Sequence, residues 1–217
     1  MIYHETEHGV LYCGDCLDVL PTLEIKADLC LTDPPYGIDY GNSGGFCKSA
    51  GWNNWKGSTK WDSEIPCKEI FDAVMNASKN QIIWGGNYFT DHLPPSMGWL
   101  VWNKRQRNFS LADGELAWTS FDKALRIFDY SRGEALQDGK VHPTQKPVAL
   151  FGWCLQNYSN EQDIILDPFA GSGTTAIACI RYKRKYILIE KEEKYCEIAA
   201  KRIETELDQT DIFREES

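Results

Sequence analysis

Four consecutive residues, Asp33-Pro34-Pro35-Tyr36, combine hydrogen-bond acceptors with an aromatic ring. Proline fixes its own φ and has no N–H, so the double proline stiffens the turn and leaves the Pro34 carbonyl without a local partner. The Asp33 carboxylate and that carbonyl could accept the two hydrogens of an exocyclic amine whose ring stacks on Tyr36. The alternative is a proline-stiffened surface turn in which Asp33 and Tyr36 are incidental.

A second motif, Asp167-Pro168-Phe169-Ala170-Gly171-Ser172-Gly173-Thr174-Thr175, follows an apolar run and precedes a predicted helix. A strand, a glycine turn and a helix N-terminus can hold a polar small molecule against backbone N–H groups. A phosphate-binding P-loop is excluded because no lysine follows in the GxxxxGK[ST] pattern. Two interpretations stay open. One is a dinucleotide site with Gly171, Gly173 and Ala176, and the other is an S-adenosylmethionine site; Glu190 would take ribose hydroxyls in both.

Short apolar runs bounded by turn residues predict the strands that position these motifs. The runs are 10–13, 28–32, 81–84, 99–102, 115–119, 163–166 and 186–189. Helices are predicted over 65–79, 147–158, 174–182 and 191–207, with a charged, frayed tail over 208–217. The alternation predicts a doubly wound α/β fold with both motifs at the carboxyl ends of parallel strands.

Together, the tetrapeptide and residues 169–175 resemble the amino-methyltransferases of DNA, which methylate N6 of adenine or N4 of cytosine with S-adenosylmethionine. Three further segments carry the resemblance: Tyr12-Cys13-Gly14-Asp15-Cys16, Gly114-Glu115-Leu116-Ala117-Trp118-Thr119-Ser120-Phe121 and His142-Pro143-Thr144-Gln145-Lys146-Pro147. The tetrapeptide comes first and the glycine turn last, which is the order of the circularly permuted β group. The resemblance implies one domain over 1–217, with a mostly parallel, seven-stranded Rossmann-like methyltransferase sheet and an inserted DNA-recognition region.

The resemblance also assigns residues to roles. Catalysis falls to Asp33, Pro34, Pro35 and Tyr36. The predicted contacts to S-adenosylmethionine are Asp15, Cys16, Asp33, His142, Thr144, Gln145, Lys146, Asp167, Phe169, Ala170, Gly171, Ser172, Gly173, Thr174, Thr175 and Glu190. No metal is expected, because methyl transfer from a sulfonium needs no Lewis acid.

Double-stranded DNA is the expected partner, with the target base flipped out of the duplex. A mobile loop over 41–62 and a target-recognition insert over 103–140 are expected to contact it. The predicted DNA-binding residues are Lys56, Lys60, Lys104, Arg105, Arg107, Arg126 and Arg132. The resemblance also allows a homodimer and a restriction-enzyme counterpart, and it places the protein among compact bacterial and phage enzymes.

Asp33 decides between the two target bases, because in β-group relatives an aspartate at this position goes mostly with adenine and a serine more often with cytosine. We therefore predict N6-adenine methylation, with N4-cytosine methylation as the alternative. Two other classes are weaker. An NAD-dependent oxidoreductase built on the glycine turn leaves the tetrapeptide unexplained, and an inactive DNA-binding regulator would not need both motifs intact.

Composition bounds these interpretations. The 217 residues are 42% hydrophobic and 25% charged, which excludes a wholly disordered chain. The net charge of −9 disfavours nucleic acid as an average over the molecule, so DNA binding requires a local basic face and should be strongly salt-dependent. No stretch approaches the ~20 apolar residues of a membrane span, and the start of the sequence shows no leader, so we expect a cytoplasmic protein.

The eight cysteines are expected to be reduced. Cys30, Cys154, Cys179 and Cys196 lie within apolar runs, which predicts buried thiols rather than disulfides. Cys13 and Cys16 have CxxC spacing, but a zinc ribbon needs a second close pair that the sequence lacks.

Overall fold

A computed structural model describes residues 1–38, 64–108, 112–137 and 145–215, the last five without side-chain detail. Its strands are β1 (Ile2–Thr6), β2 (Gly9–Cys13), β3 (Ala27–Thr32), β4 (Ser78–Trp84), β5 (Trp99–Asn103), β6 (Gly114–Thr119), β7 (Arg126–Asp129), β8 (Ile164–Asp167) and β9 (Lys185–Glu190). They form one sheet in the order β1-β2-β9-β8-β3-β4-β6-β5-β7.

The centre of the sheet is parallel. β2, β9, β8, β3 and β4 all run in the same direction, so their carboxyl ends share one edge. β6 is antiparallel to both β4 and β5, and β7 is parallel to β5. The shared edge is where open α/β sheets bind ligands.

Helices cover both faces of the sheet. They are α1 (Cys16–Val19), α2 (Lys68–Ala77), α3 (Arg132–Gln137), α4 (Val148–Tyr158), α5 (Thr174–Arg181) and α6 (Glu193–Glu215). The apolar side chains of α4, α5 and α6 form a core with one face, and those of α1 and α2 form a second core with the other. The strands are apolar on both faces because each face is buried. The predicted doubly wound fold is confirmed.

Within the described residues the sheet has nine strands, two more than the seven expected. All seven apolar runs are strands, and the two additional strands, β1 and β7, lie at the two edges. Most side chains of these strands, IYHET and RIFD, are exposed. Neither strand therefore needs the apolar run by which the other seven were predicted. An edge strand needs only one hydrogen-bonded neighbour and no second buried face.

One predicted boundary is wrong: the last helix does not end near Leu207 in a frayed tail, because α6 continues to Glu215. The described part of residues 103–140, where a target-recognition insert is expected, contains β6, β7 and α3. The predicted loop over 41–62 lies outside the described residues.

The thiol prediction is confirmed at Cys30, Cys154, Cys179 and Cys196, which are buried and free. None of the helices in the described ranges is long and apolar enough to cross a membrane.

Candidate active site

The two sequence motifs meet at the carboxyl edge of the sheet. Asp33 directly follows β3, and Asp167 is the last residue of the neighbouring strand β8. The Thr32 hydroxyl donates to Asp167 Oδ1 at 2.7 Å, which ties the ends of the two strands together. Glu190 ends β9, the next strand along.

The tetrapeptide is packed into this edge instead of standing as a surface turn. Pro34 is buried, and the Tyr36 hydroxyl donates to Asp33 Oδ1 at 2.5 Å. The Tyr36 ring stacks on Tyr88, with centroids 4.9 Å apart and an interplanar angle of 14°. A Cβ at Gly85, where φ is +74°, would lie 2.1 Å from the Tyr36 ring. Only glycine therefore fits beside that ring.

Asp33 belongs to a cluster of four charges of alternating sign. Lys146 Nζ lies 2.6 Å from Asp33 Oδ2, 3.0 Å from Glu115 Oε2 and 2.9 Å from the Tyr36 hydroxyl. Glu115 Oε1 in turn lies 2.5 Å from Lys104 Nζ. Only 6% of the Lys146 side chain is exposed, so these ion pairs are shielded from water. We call Asp33, Glu115, Lys104 and Lys146 the charge cluster.

Three residues of the charge cluster, Asp33, Glu115 and Lys146, have shifted pKa values. Burial disfavours ionisation of Glu115, but the ammonium groups of Lys146 and Lys104 outweigh it and hold its pKa at about 2. Burial raises the pKa of Asp33 above its usual value, although Lys146 opposes that shift. The pKa of Lys146 is raised because its two carboxylate neighbours outweigh the effect of burial. Burial also raises the pKa of Tyr36, so its hydroxyl stays a donor.

The glycine turn links β8 to α5 through left-handed backbone. Gly171 and Gly173 have φ values of +50° and +78°, which other L-residues rarely adopt. The Gly171 N–H donates to Glu190 Oε2 at 2.8 Å, and the Glu192 N–H donates to Glu190 Oε1 at 2.8 Å. Burial raises the pKa of Glu190. The end of β9 is thus joined to the turn that follows β8.

Asp167 stabilises the start of this turn by hydrogen bonds. Its carboxylate accepts hydrogen bonds from the hydroxyls of Thr32 and Thr175 and from the Phe169 N–H, and the residue is 3% exposed. Burial without a cationic partner in the described structure raises the pKa of Asp167 to about 6. The carboxylate faces protein donors, so its local effect is to fix the backbone.

Two further predicted residues lie where β2 meets β9. Asp15 caps α1 by accepting from the Leu17 N–H at 3.0 Å, and it pairs with Lys191 at 2.9 Å, which lowers its pKa. Cys16 is buried at the start of α1. The Gly14 N–H donates to the Glu190 carbonyl at 2.9 Å, so this segment borders the acidic end of β9.

The segment before α4 joins both motifs. Lys146 belongs to the charge cluster, while the neighbouring Gln145 accepts a hydrogen bond from the Ser172 hydroxyl at 3.2 Å. Arg202, on α6, donates to the Ser172 hydroxyl at 2.9 Å and also to its carbonyl. Of the same predicted segment, His142 and Thr144 lie outside the described residues.

The predicted DNA-binding residues do not all share one environment. Lys104 is held by Glu115 inside the charge cluster. Arg105 and Arg107 are exposed just after β5, and Arg126 is exposed on the edge strand β7. Arg132 begins α3, and Lys56 and Lys60 lie outside the described residues.

Sequence reasoning did not assign three residues of this site. Glu115 stands in a segment singled out for its resemblance, and a charged residue opening an apolar strand was the available signal. Tyr88 and Arg202 gave no signal, because their partners Tyr36 and Ser172 lie far away in the sequence.

Comparison with known proteins identifies similar chains. A family model described as DNA methylase, N6_N4_Mtase, matches residues 68–201, more than half of the chain. The Type II methyltransferase M2.DpnII of Streptococcus pneumoniae is 27% identical over 248 residues, covering 94% of this chain and 92% of that protein. M2.LlaDCHI of Lactococcus lactis subsp. cremoris is 26% identical over 245 residues, covering 93% and 91%.

Solved structures share the fold. The complex of M1.HpyAVI with S-adenosylmethionine superposes with a TM-score of 0.59 at 23% identity, covering 89% of this chain and 98% of that one. The PvuII DNA methyltransferase, described as cytosine-N4-specific, superposes with a TM-score of 0.59 at 18% identity, covering 90% and 86%.

Proposed function

The chain belongs to the N6/N4 DNA methylase family, and from that premise we propose that it methylates N6 of adenine in double-stranded DNA. As a member of this family it uses S-adenosylmethionine as methyl donor and acts on DNA. The observation that carries the choice of adenine is Asp33 at the head of the tetrapeptide, at the carboxyl end of β3. Serine is more frequent at this position in β-group relatives that methylate cytosine.

The tetrapeptide supplies what a weak nucleophile needs. The lone pair of an exocyclic amine is delocalised into its ring, and hydrogen bonds from the amine to Asp33 and the Pro34 carbonyl favour a more tetrahedral nitrogen. With S-adenosylmethionine bound, the freed lone pair would take its methyl group in line as the S–C bond breaks to leave a neutral thioether, and the amine would then lose one proton to Asp33 or to water. Asp33 already accepts from Tyr36 and Lys146, so an incoming amine has to share its oxygens with them.

The residues around the glycine turn fit the methyl donor. A Cβ at Gly171 would meet nothing within 4 Å, so open space lies beside the turn at the start of α5. Glu190 borders that space through its bond to the Gly171 N–H and is our candidate for the ribose hydroxyls. S-adenosylmethionine supplies an activated methyl group when bound. Asp167, whose oxygens face Thr32, Thr175 and Phe169, is assigned to shaping the turn.

The exposed arginines after β5 and on β7 are our candidates for DNA contacts. Arg105, Arg107 and Arg126 can reach phosphates without breaking the charge cluster, whereas Lys104 would have to leave Glu115. Base flipping costs a few kcal/mol, which stacking on aromatic side chains and backbone contacts can offset. A homodimer and a restriction-enzyme counterpart stay predictions.

The test is expression in a host that lacks DNA methylation, followed by nucleoside mass spectrometry and modified-base sequencing of its DNA. We expect N6-methyladenine confined to one sequence context. N4-methylcytosine alone would show that the target base is wrong. If the DNA contains neither modified base although the protein is folded and binds S-adenosylmethionine, the inactive DNA-binding regulator is favoured instead.

A further inference from the structure

Glu115 is a half-buried charge for which the proposed chemistry has no direct use. It lies on β6, antiparallel to β4, and reaches the charge cluster from the side opposite the glycine turn. One of its oxygens is 3.0 Å from Lys146 Nζ, and the other is 2.5 Å from Lys104 Nζ. Two carboxylates and two ammonium groups therefore alternate along one line, and their formal charges cancel.

Lys146 is shared between the two carboxylates. Its ammonium has three N–H donors, and three acceptors lie within 3.0 Å: Asp33 Oδ2, the Tyr36 hydroxyl and Glu115 Oε2. Glu115 thus competes with Asp33 for the same cation. In its absence Lys146 would be free to pair with Asp33 alone, in the place where a target amine has to bind.

We propose that Glu115 is a positioning residue for methyl transfer, which holds part of the Lys146 ammonium so that Asp33 is paired with a cation and still open to the target amine. This inference rests on the proposed function, since it takes Asp33 as the acceptor of that amine. Lys104 fixes Glu115 in turn, because it binds the oxygen that Lys146 leaves open.

The groups that face Asp33 determine the sign of each substitution. Tyr36 lies on its own loop, Lys146 before α4, Glu115 on β6 and Asp167 at the end of β8. Lys146 lowers the pKa of Asp33, whereas the Glu115 charge raises it. Removing the Glu115 charge should therefore make Asp33 easier to ionise, and removing Lys146 should make it harder.

The experiment compares the pH dependence of single-turnover methylation in the wild type, Glu115→Gln and Lys146→Gln, with DNA and S-adenosylmethionine saturating. An acceptor role requires ionised Asp33, so activity falls below its pKa. We expect this acid limb to move to lower pH by about one unit in Glu115→Gln and to higher pH by about one unit in Lys146→Gln. Above the limb, Glu115→Gln should be about tenfold slower because the amine competes with a tighter ion pair, and Glu115→Asp should recover part of the rate.

A matched control and a second variant complete the design. The control is Glu161→Gln, which removes an exposed carboxylate 3.9 Å from Lys183, just before β8 begins and at the end of that strand away from Asp167. It should leave the methylation rate and its pH profile unchanged. If Glu115→Gln does not fold, Lys104→Gln takes its place. Glu115 then draws Lys146 away from Asp33, so the limb should move to higher pH.

The outcomes separate the two proposals. Limbs that do not move, or that move in the same direction in Glu115→Gln and Lys146→Gln, overturn the role of Glu115. If those limbs stay fixed while the wild type methylates and Asp33→Ala does not, only the positioning role fails. A wild type that binds DNA and S-adenosylmethionine without methylating overturns the proposed function itself.

Discussion

Two carboxylates at the same sheet edge, the buried Asp167 and the half-buried Glu115, are stabilised in different ways. Asp167 accepts from two hydroxyls and a backbone N–H, and burial raises its pKa to about 6. Glu115 meets two ammonium groups, which outweigh burial and hold its pKa at about 2. Both are hydrogen-bonded, but only the second is compensated in charge.

The contrast separates two tasks within one site. Around the glycine turn, neutral hydrogen bonds fix the backbone without requiring a permanent charge on Asp167. Around Asp33, charges of alternating sign keep Glu115 ionised, and Lys146 opposes the effect of burial on Asp33, beside the position where an amine is to be recognised. We expect substitutions in the turn to change cofactor affinity and stability, and substitutions near Asp33 to change the methylation rate and its pH dependence.

The largest effect is expected for Asp33→Ala. Loss of the acceptor should reduce methylation by at least about 10²–10³-fold, while affinity for S-adenosylmethionine, measured by calorimetry, stays largely in place. Asp72→Ala is the control, since that carboxylate is exposed on α2 and pairs only with Lys68 among the interactions described for it. Full activity of Asp33→Ala would refute its assigned role.

Gly85→Ala should have the next largest effect. The added Cβ would lie 2.1 Å from the Tyr36 ring, so the ring has to move. A displacement of this size is expected to lower the methylation rate by about 10²-fold with little change in cofactor binding. Gly133→Ala is the matched control, because its Cβ would find its nearest neighbour, the Ser131 hydroxyl, at 3.8 Å. Equal rates for the two variants would contradict the close packing of Gly85 against Tyr36.

Gly173→Ala should act on the other region. Its φ of +78° is unfavourable for alanine, and the new Cβ would lie 3.0 Å from the Ala199 Cβ. A cost of about 1–2 kcal/mol predicts roughly tenfold weaker binding of S-adenosylmethionine and a lower melting temperature. Gly171→Ala faces open space, so it should lose less stability. A shifted pH–rate profile in Gly173→Ala would contradict the separation between the glycine turn and the surroundings of Asp33.

Asp167→Asn should have the smallest effect on methylation and a distinct effect on stability. Because the pKa of Asp167 is about 6 in the fold and 3.8 as its ordinary value, the folded state holds its proton more tightly, and this contribution to stability is lost as the pH rises between those values. The free energy of unfolding of the wild type relative to Asp167→Asn should fall by about 2 kcal/mol from pH 4 to pH 7.

Glu115 should show the reverse dependence. Its pKa is about 2 in the fold against an ordinary 4.5, so its contribution to stability grows as the pH rises through that interval. Urea unfolding of the wild type, Asp167→Asn and Glu115→Gln over both pH intervals measures how the free energy of unfolding changes with pH for each carboxylate. Slopes of the same sign would remove the contrast between the two carboxylates.

Local patterns predicted most of the scaffold and both motifs. Apolar runs identified β2, β3, β4, β5, β6, β8 and β9 because each has a buried face. β1 and β7 lie at the edges with exposed side chains, and backbone pairing with one neighbour leaves no pattern in residue types. The extent of α6 was missed for a related reason, since its residues after Leu207 are mostly polar.

The charge cluster could not be assembled from the sequence. Lys146 was assigned to the cofactor by resemblance, yet its ammonium lies against Asp33, 113 residues away. Glu115 contacts Tyr36 across 79 residues. Ion pairs between such distant positions depend on the sheet order, in which β6 lies between β4 and β5. Motif spacing contains no information about that order.

The hydrogen bond between Thr32 and Asp167 spans 135 residues of chain and joins two adjacent strands. During synthesis, β3 and β4 leave the ribosome long before β8, so the edge of β3 that pairs with β8 stays unpaired until β8 is made. An unpaired edge at this stage can recruit other chains or chaperones. The glycine turn, our proposed site for S-adenosylmethionine, follows β8, so on this proposal the cofactor would bind only after β3 and β8 have paired, late in the biogenesis of the protein.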